Sequence, residues 1–374
     1  MPDGSLYGAS LATPPPRKGR GALSNPANRF ETRSEIPWDD GWGTLDAAFA
    51  APAPLATTLT RDSSRSALVY NQSPDLGFDR SINAYRGCEH GCIYCFARPT
   101  HAYLGLSPGL DFETRLLFKP EVAALLTKEL RKPGYVPRPI ALGTNTDPYQ
   151  PVERTLTLTR QILEVLDAHN HPVTIVTKSA GVTRDLDILA RMAKRNLVHV
   201  CLSVTTLDPA LARVMEPRAA SPARRLAAIA ELSRAGVPAG VLAAPMIPGL
   251  NDAELERILD ACVAHGATRA GYVLLRLPLE IAAMFEAWLH QHFPDRAARV
   301  LALVRETRGG QLYDSRFGKR QTGTGPYAGM LANRFALALR KHGLDQGRSG
   351  ARGLDCSAFQ VPASTAGPAQ MALF

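Results

Sequence analysis

From about residue 81 the chain alternates short apolar runs with longer amphipathic stretches. The runs are "PIALG" (139–143), "PVTIVTK" (172–178), "VHVCLSV" (198–204), "PAGVLAAP" (238–245) and "AGYVLLRL" (270–277), and "SINAYRG" (81–87) is expected to supply a first strand. Runs that are apolar on both faces read as strands of a parallel sheet covered by helices. Between them the pattern predicts helices near 119–131, 155–170, 183–195, 221–235 and 252–266. Ser221-Pro222 is an expected helix start, a capping serine with proline at the first position, and Gly236 an expected stop. Asn251-Asp252 is expected to open the next helix in the same way. Six strand–helix units in about 200 residues are too few for a closed eight-fold barrel. The expected fold is therefore α/β, a partial (β/α)6 TIM-type barrel with its chemistry on the loops after the strands.

Outside this rhythm, amphipathic helices are predicted over 279–293, 295–308 and 327–343. Residues 1–65 are rich in Pro, Ala, Ser and Gly and carry little apolar periodicity. Within them "RKGRGALSNPANRFE" (17–31) reads as a disordered arm, with an anion clamp or a wrap around the core as the alternatives. Trp38 and Trp42 point to docking of that arm. The expected division is a flexible arm over 1–65, a core over 66–280, a helical basic extension over 281–345 and a flexible tail over 346–374.

Composition adds bounds. Hydrophobic content of 45% and charged content of 21% are those of a soluble globular protein. No apolar run is long enough to span a membrane and the N-terminus has no leader pattern, so a cytoplasmic protein without a membrane partner is expected. Oligomeric state is not legible. The net charge is +9. Residues 299–352 hold eleven Lys/Arg against three Asp/Glu, whereas residues 1–80 are close to neutral. A basic region of this kind suits nucleic acid, or is simply a solvated face. "LYDSRFGKRQTGTGPYAGM" (312–330) interleaves aromatic and basic residues, as a base-stacking segment or as an ordinary loop closing the barrel.

The chemistry concentrates in "YRGCEHGCIYCFAR" (85–98), where Cys88, Cys92 and Cys95 follow the first strand with C-x3-C-x2-C spacing. Gly87 and Gly91 let the loop bend tightly. Three thiolates anchor three irons of a 4Fe–4S cluster and leave the fourth open for a bound molecule. Zinc on the three cysteines with His90 or a distant ligand is an alternative, as is a purely structural cluster. Tyr94 can lie against a flat ring. Thr144, Asn145, Thr146 and Asp147 follow the second strand and can bind amino or hydroxyl groups, and Lys178, ending the third, can bind a carboxylate. Asp147 also reads as a turn residue before Pro148, and Arg276 as a residue pointing into the barrel or its mouth.

This cysteine loop, in this setting, resembles the signature of the radical S-adenosylmethionine (SAM) superfamily. "GTNTDPYQPVE" (143–153), "VTKS" (176–179) and "LSVTT" (202–206) look most similar to the spore photolyase-like branch, and the arm resembles an uncharacterised bacterial group within it. The resemblance covers about residues 81–280. It implies a 4Fe–4S cluster on Cys88, Cys92 and Cys95, with SAM completing the open iron. It also implies a one-electron donor such as flavodoxin or ferredoxin, and reductive cleavage of SAM to methionine and a 5′-deoxyadenosyl radical. Lys178 and Ser203 are the residues it carries over most directly to SAM. True spore photolyases use a further cysteine after the second strand, but no cysteine lies between Cys95 and Cys201 here. Lesion repair by that route is therefore not expected. Cys201 reads as a small core residue; Cys356 lies in the tail, and its reaching the site is only the minor alternative. The substrate is not legible in the sequence; a nucleic acid or nucleotide is the first hypothesis. The alternatives are a small metabolite or protein, and a non-enzymatic Fe–S or zinc protein that binds RNA.

Overall fold

The apolar runs pair edge to edge because each has no polar face to give to water. The computed structural model describes residues 16–31, 55–344 and 353–362. Its strands are β1 (Thr58–Arg61), β2 (Leu68–Tyr70), β3 (Arg80–Ile82), β4 (Tyr85–Arg86), β5 (Arg115–Phe118), β6 (Ile140–Leu142), β7 (Val173–Thr177), β8 (Val198–Ser203), β9 (Ala239–Met246) and β10 (Arg269–Leu274). The main sheet runs β10-β9-β8-β7-β6-β3-β2, parallel from β3 to β10, with β2 antiparallel on the edge. β1, β5 and β4 form a small second sheet. This is the partial (β/α)6 barrel expected from the sequence.

The helices are α1 (Leu110–Thr114), α2 (Val122–Leu130), α3 (Glu153–Leu156), α4 (Leu158–Ala168), α5 (Leu186–Lys194), α6 (Pro209–Met215), α7 (Pro222–Arg234), α8 (Leu255–Ala264), α9 (Ile281–His292), α10 (Pro294–Glu306) and α11 (Gly325–Lys341). Val173, Ile175, Val198, Val200 and Leu202 are fully buried beneath Ile162, Leu166, Ile188 and Leu189 of the covering helices. Burial of each such side chain contributes about 1.5–3 kcal/mol. Among the described residues no helix is long and apolar enough to cross a membrane.

Two expected caps differ in detail. Ser221 sits at the N-cap of α7 with Pro222 behind it, but its hydroxyl accepts no capping bond. Asn251 does not cap through its side chain either. Its Oδ1 accepts from Ile247 N (2.6 Å), and its Nδ2 donates to Thr205 O (2.7 Å) and Pro245 O (3.0 Å). It ties the loops after β8 and β9 together.

The described parts of the two terminal segments pack against the core. Residues 16–31 pack onto the cysteine loop, with Gly21, Ala22 and Leu23 buried. The sequence hid this because their partners lie about 90 positions away. Trp38 and Trp42 fall outside the described residues. Residues 353–362 dock at the N-terminal ends of β7 and β8, where Gln360 N donates to His169 O and Phe359 packs on Tyr135, His169 and His171. Cys356 is at this end, near Arg80 and Arg138, opposite the cysteine loop, and does not reach the site.

The basic extension spends much of its charge internally. Arg316 pairs with Asp314, Arg320 with Asp75, Arg334 with Glu256 and Lys341 with Asp260. Arg308, buried, donates to the carbonyls of Leu274 and Leu275 and to those of Lys319 and Arg320. Leu274 N donates to Gln321 O (2.8 Å), and Gln321 Nε2 to Asp75 O (3.1 Å). The segment around 316–324 thus bridges the open side of the barrel, from β10 to the loop before β3. Of the two readings of 312–330, the closing loop is the one the contacts match.

Candidate functional site

The three cysteines lie between β4 and a 3-10 helix (Arg98–Leu104), at the C-terminal mouth of the barrel. Cys88 and Cys92 are buried and Cys95 is half-buried. Gly91 has φ of +67°, and a Cβ there would stand 2.7 Å from a Glu113 carboxylate oxygen. The loop's backbone is fastened outward: Cys88 N donates to Phe112 O (2.9 Å) and Ile93 N to Met215 O (3.1 Å). Arg98, fully buried, donates from Nε to Cys92 O (2.9 Å) and from Nη2 to Gly91 O (3.1 Å). Its charge is met by Glu113, also fully buried. The same carboxylate accepts from Gly21 N (3.0 Å) and Ala22 N (2.8 Å) of the N-terminal segment. Gly21 passes so close that a Cβ would lie 1.8 Å from Gly91 O. The segment is thus part of the wall of the loop.

Burial raises the Cys88 thiol well above its ordinary value, and Asp147 and the neighbouring thiols add to the rise. Burial likewise pushes Cys92 up, against the pull of Lys178. Among the described residues no three His, Cys, Asp or Glu side chains converge as a ready-made ion site. The fit therefore rests on the donor set: three cysteines in one loop supply the thiolates that iron–sulfur clusters take as ligands.

The other expected residues gather at the same mouth, though not all with side chains to spare. Asp147 Oδ1 accepts from Tyr149 N (2.9 Å) and Thr177 Oγ1 (2.6 Å), and Oδ2 from Lys178 N (2.7 Å). His90 Nδ1 lies 3.3 Å from the same Oδ2. Burial alone would raise this carboxyl; His90 and these hydrogen bonds overcome it and hold it at about 2. Asp147 is thus the turn residue, a brace between the loops of β6 and β7 whose oxygens are already used. Thr144 Oγ1 contacts Asn83, whose Oδ1 also accepts from Asn145 N (3.1 Å), and Thr146 Oγ1 donates to Tyr85 O (3.3 Å). Lys178 Nζ lies 5.7 Å from the centre of the Tyr94 ring, with no carboxylate partner among the described residues. Tyr94 is buried and donates its hydroxyl to Glu216. Ser203, ending β8, gives its carbonyl to Arg225 Nη1 (2.9 Å). Cys201 lies in the same strand, its thiol pushed up to about 11 by burial.

Several organising residues were not foreseen. Glu216 and Arg225 form a buried ion pair beneath Tyr94, and Thr205 Oγ1 donates to the same glutamate (3.0 Å). Burial raises the Glu216 carboxyl against the pull of Arg225. Asn83 and Arg98–Glu113 were missed as well. The one available signal was a charge inside an apolar context, as in "CFARP" (95–99) and "LDFETRLLF" (110–118). A cleft of about 560 Å³ lies apart from the cysteine loop, between α6 and the junction of α9 and α10.

Comparison with known proteins agrees with this geometry. An uncharacterized protein of Mycobacterium tuberculosis (strain H37Rv) is 38% identical over 271 residues, covering 72% of this chain and 76% of that one. One from Methanocaldococcus jannaschii is 26% identical over 217 residues, covering 57% and 76%. A solved spore photoproduct lyase complexed with dinucleoside spore photoproduct has a TM-score of 0.55 at 16% identity, covering 76% of this chain and 79% of that one. Another, with bound AdoMet and dinucleoside spore photoproduct, has a TM-score of 0.54 at 16% identity, covering 84% and 86%. These likenesses show a shared fold. The family profile described as Radical SAM superfamily matches residues 82–262, from the first parallel strand to the helix after β9. The cysteine loop lies inside that span, and the chain belongs to the radical SAM superfamily.

Proposed function

We propose that this radical SAM enzyme binds a 4Fe–4S cluster through Cys88, Cys92 and Cys95 and cleaves SAM reductively at the barrel mouth. The observation that carries the reading is the three-thiol loop after the first parallel strand, with the Lys178 ammonium close enough to act on Cys92. Held by Cys88, Cys92 and Cys95, a cluster would supply the one-electron chemistry that splits the sulfonium of SAM reductively, to methionine and a 5′-deoxyadenosyl radical. The electron comes from a donor such as flavodoxin or ferredoxin. Lys178, without a carboxylate of its own, is placed for the carboxylate of SAM. In this reading Asn145 and Thr144 serve its amino group or ribose hydroxyls, with Ser203 at the end of β8. Asp147 acts through others, holding Lys178 and Thr177 in position. Tyr94 has its hydroxyl engaged by Glu216, which leaves its ring rather than its hydroxyl for contact.

For the substrate we propose a nucleic acid or nucleotide. The support is a fold shared with lyases whose structures hold a dinucleoside photoproduct. The internal pairing of the basic extension weakens the case for a broad polyanion face and favours recognition at the mouth. The test is anaerobic. The cluster is reconstituted, dithionite and SAM are added, and 5′-deoxyadenosine is assayed beside a Cys92→Ala control. Product that disappears in the control supports the reading. An intact cluster signal that SAM does not perturb, with no product, refutes it.

A further inference from the structure

Arg276 stands two residues beyond β10, half-buried at the mouth of the barrel. Its guanidinium carbon lies 4.8 Å from the centre of the Phe96 ring. Phe96 directly follows the third cysteine. The contact therefore reaches from the last parallel strand to the loop of the first, across the open mouth. Arg276 Nε is buried with no hydrogen-bond partner, and among the described residues no carboxylate pairs with this side chain. Two fully buried arginines nearby in the fold differ: Arg98 has Glu113 and Arg225 has Glu216.

A second guanidinium stands behind it. Arg308 is committed to four backbone carbonyls and brings no counter-charge. Burial, and next the charge of Arg276, push Arg308 down to about 10. Two like charges near enough to act on one another gain when an anion enters. Phe96 is 43% exposed, so ring surface remains for a planar group to stack on. A planar fork of donors beside an open aromatic face matches a phosphate joined to a base.

Resting on the radical SAM reading of the adjacent loop, we infer that Arg276 and Phe96 are the substrate-recognition pair, and that the substrate is a nucleotide. Arg276 takes the phosphate oxygens and Phe96 the face of the base. A carboxylate shares the charge and the fork geometry, and SAM carries one, so the test separates the two sources.

The cluster-loaded full chain is dialysed anaerobically to equilibrium against the deoxynucleoside monophosphates, the matching nucleosides and, separately, SAM. The unaltered chain binds monophosphates roughly ten- to hundredfold more tightly than nucleosides, the range of one charge-assisted contact. Arg276→Gln erases that difference and Arg276→Lys keeps part of it. Phe96→Leu weakens nucleosides and nucleotides alike. Equal affinity of the unaltered chain for nucleotides and nucleosides overturns the assignment. So does an Arg276→Gln chain that loses SAM affinity while keeping its preference for the phosphate, because the residue then serves the cofactor. Nucleotide preference in an unaltered, cluster-loaded chain that does not cleave SAM removes the radical reading and leaves the pair standing.

Discussion

Glu113→Gln tests whether the N-terminal segment is part of the cysteine site. The carboxylate joins three things: the Arg98 guanidinium, which holds the carbonyls of Gly91 and Cys92, and the N–H groups of Gly21 and Ala22. Both members of the ion pair are fully buried. The amide keeps one acceptor oxygen but turns NH2 toward groups that are all donors, and it strips Arg98 of its counter-charge. Breaking one partner of a buried pair costs about 3–5 kcal/mol. The retained oxygen offsets part of this, leaving about 3 kcal/mol, or roughly a hundredfold in a local opening equilibrium. Hydrogen exchange of the metal-free chain reads this directly. Amides of residues 20–23 and 88–95 exchange roughly a hundredfold faster, while those of β7 and β8 hold their rates. Iron is also stripped faster by a chelator from the reconstituted variant. Unchanged exchange in both segments refutes the reasoning. Acceleration of the loop alone shows that Arg98 holds it without help from the arm.

Further outcomes follow from the same contacts. Arg225→Met leaves Glu216 buried without its cation and destabilises the chain by about 3–5 kcal/mol in urea titration, whereas Arg225→Met with Glu216→Leu recovers most of the loss. His171 is buried, and burial lowers its pKa from 6.5 to about 4. The unfolded chain therefore takes up the proton first as pH falls. Stability is full above about pH 6.5 and declines toward pH 4, by an amount on the order of 3 kcal/mol, and His171→Gln flattens this dependence of the melting temperature. Asp75→Asn removes the carboxylate that Arg320 grips beside the barrel opening, and exchange at Leu274 and Gln321 rises without a change at β7.

The barrel was legible because its strands are apolar on both faces and its helices alternate with them, a signal carried by neighbouring residues. The short α6 escaped because Pro209–Met215 has too few turns to show a period. The cysteine triplet was legible for the same local reason, with all its thiols inside eight positions of sequence. The candidate SAM residues were placed by their strand ends, and the structure gathers them there. Asp147 shows the limit, since its type and position suited a ligand but only the fold decided that Thr177, Lys178 and His90 use its oxygens.

Long-range pairing was not legible. Glycine, arginine and asparagine in residues 17–31 look like a disordered arm when read alone, because the Glu113 carboxylate they serve lies about 90 residues on. The net charge of residues 299–352 suggested a polyanion face because Asp75, Glu256 and Asp260 lie outside that window. The sequence by itself determined the class of fold and the thiol set, since period and spacing are local. Only the tertiary structure decided which charges are spent on one another and which, like Arg276, stand without a partner, because a charge is neutralised by what lies a few ångströms away in space.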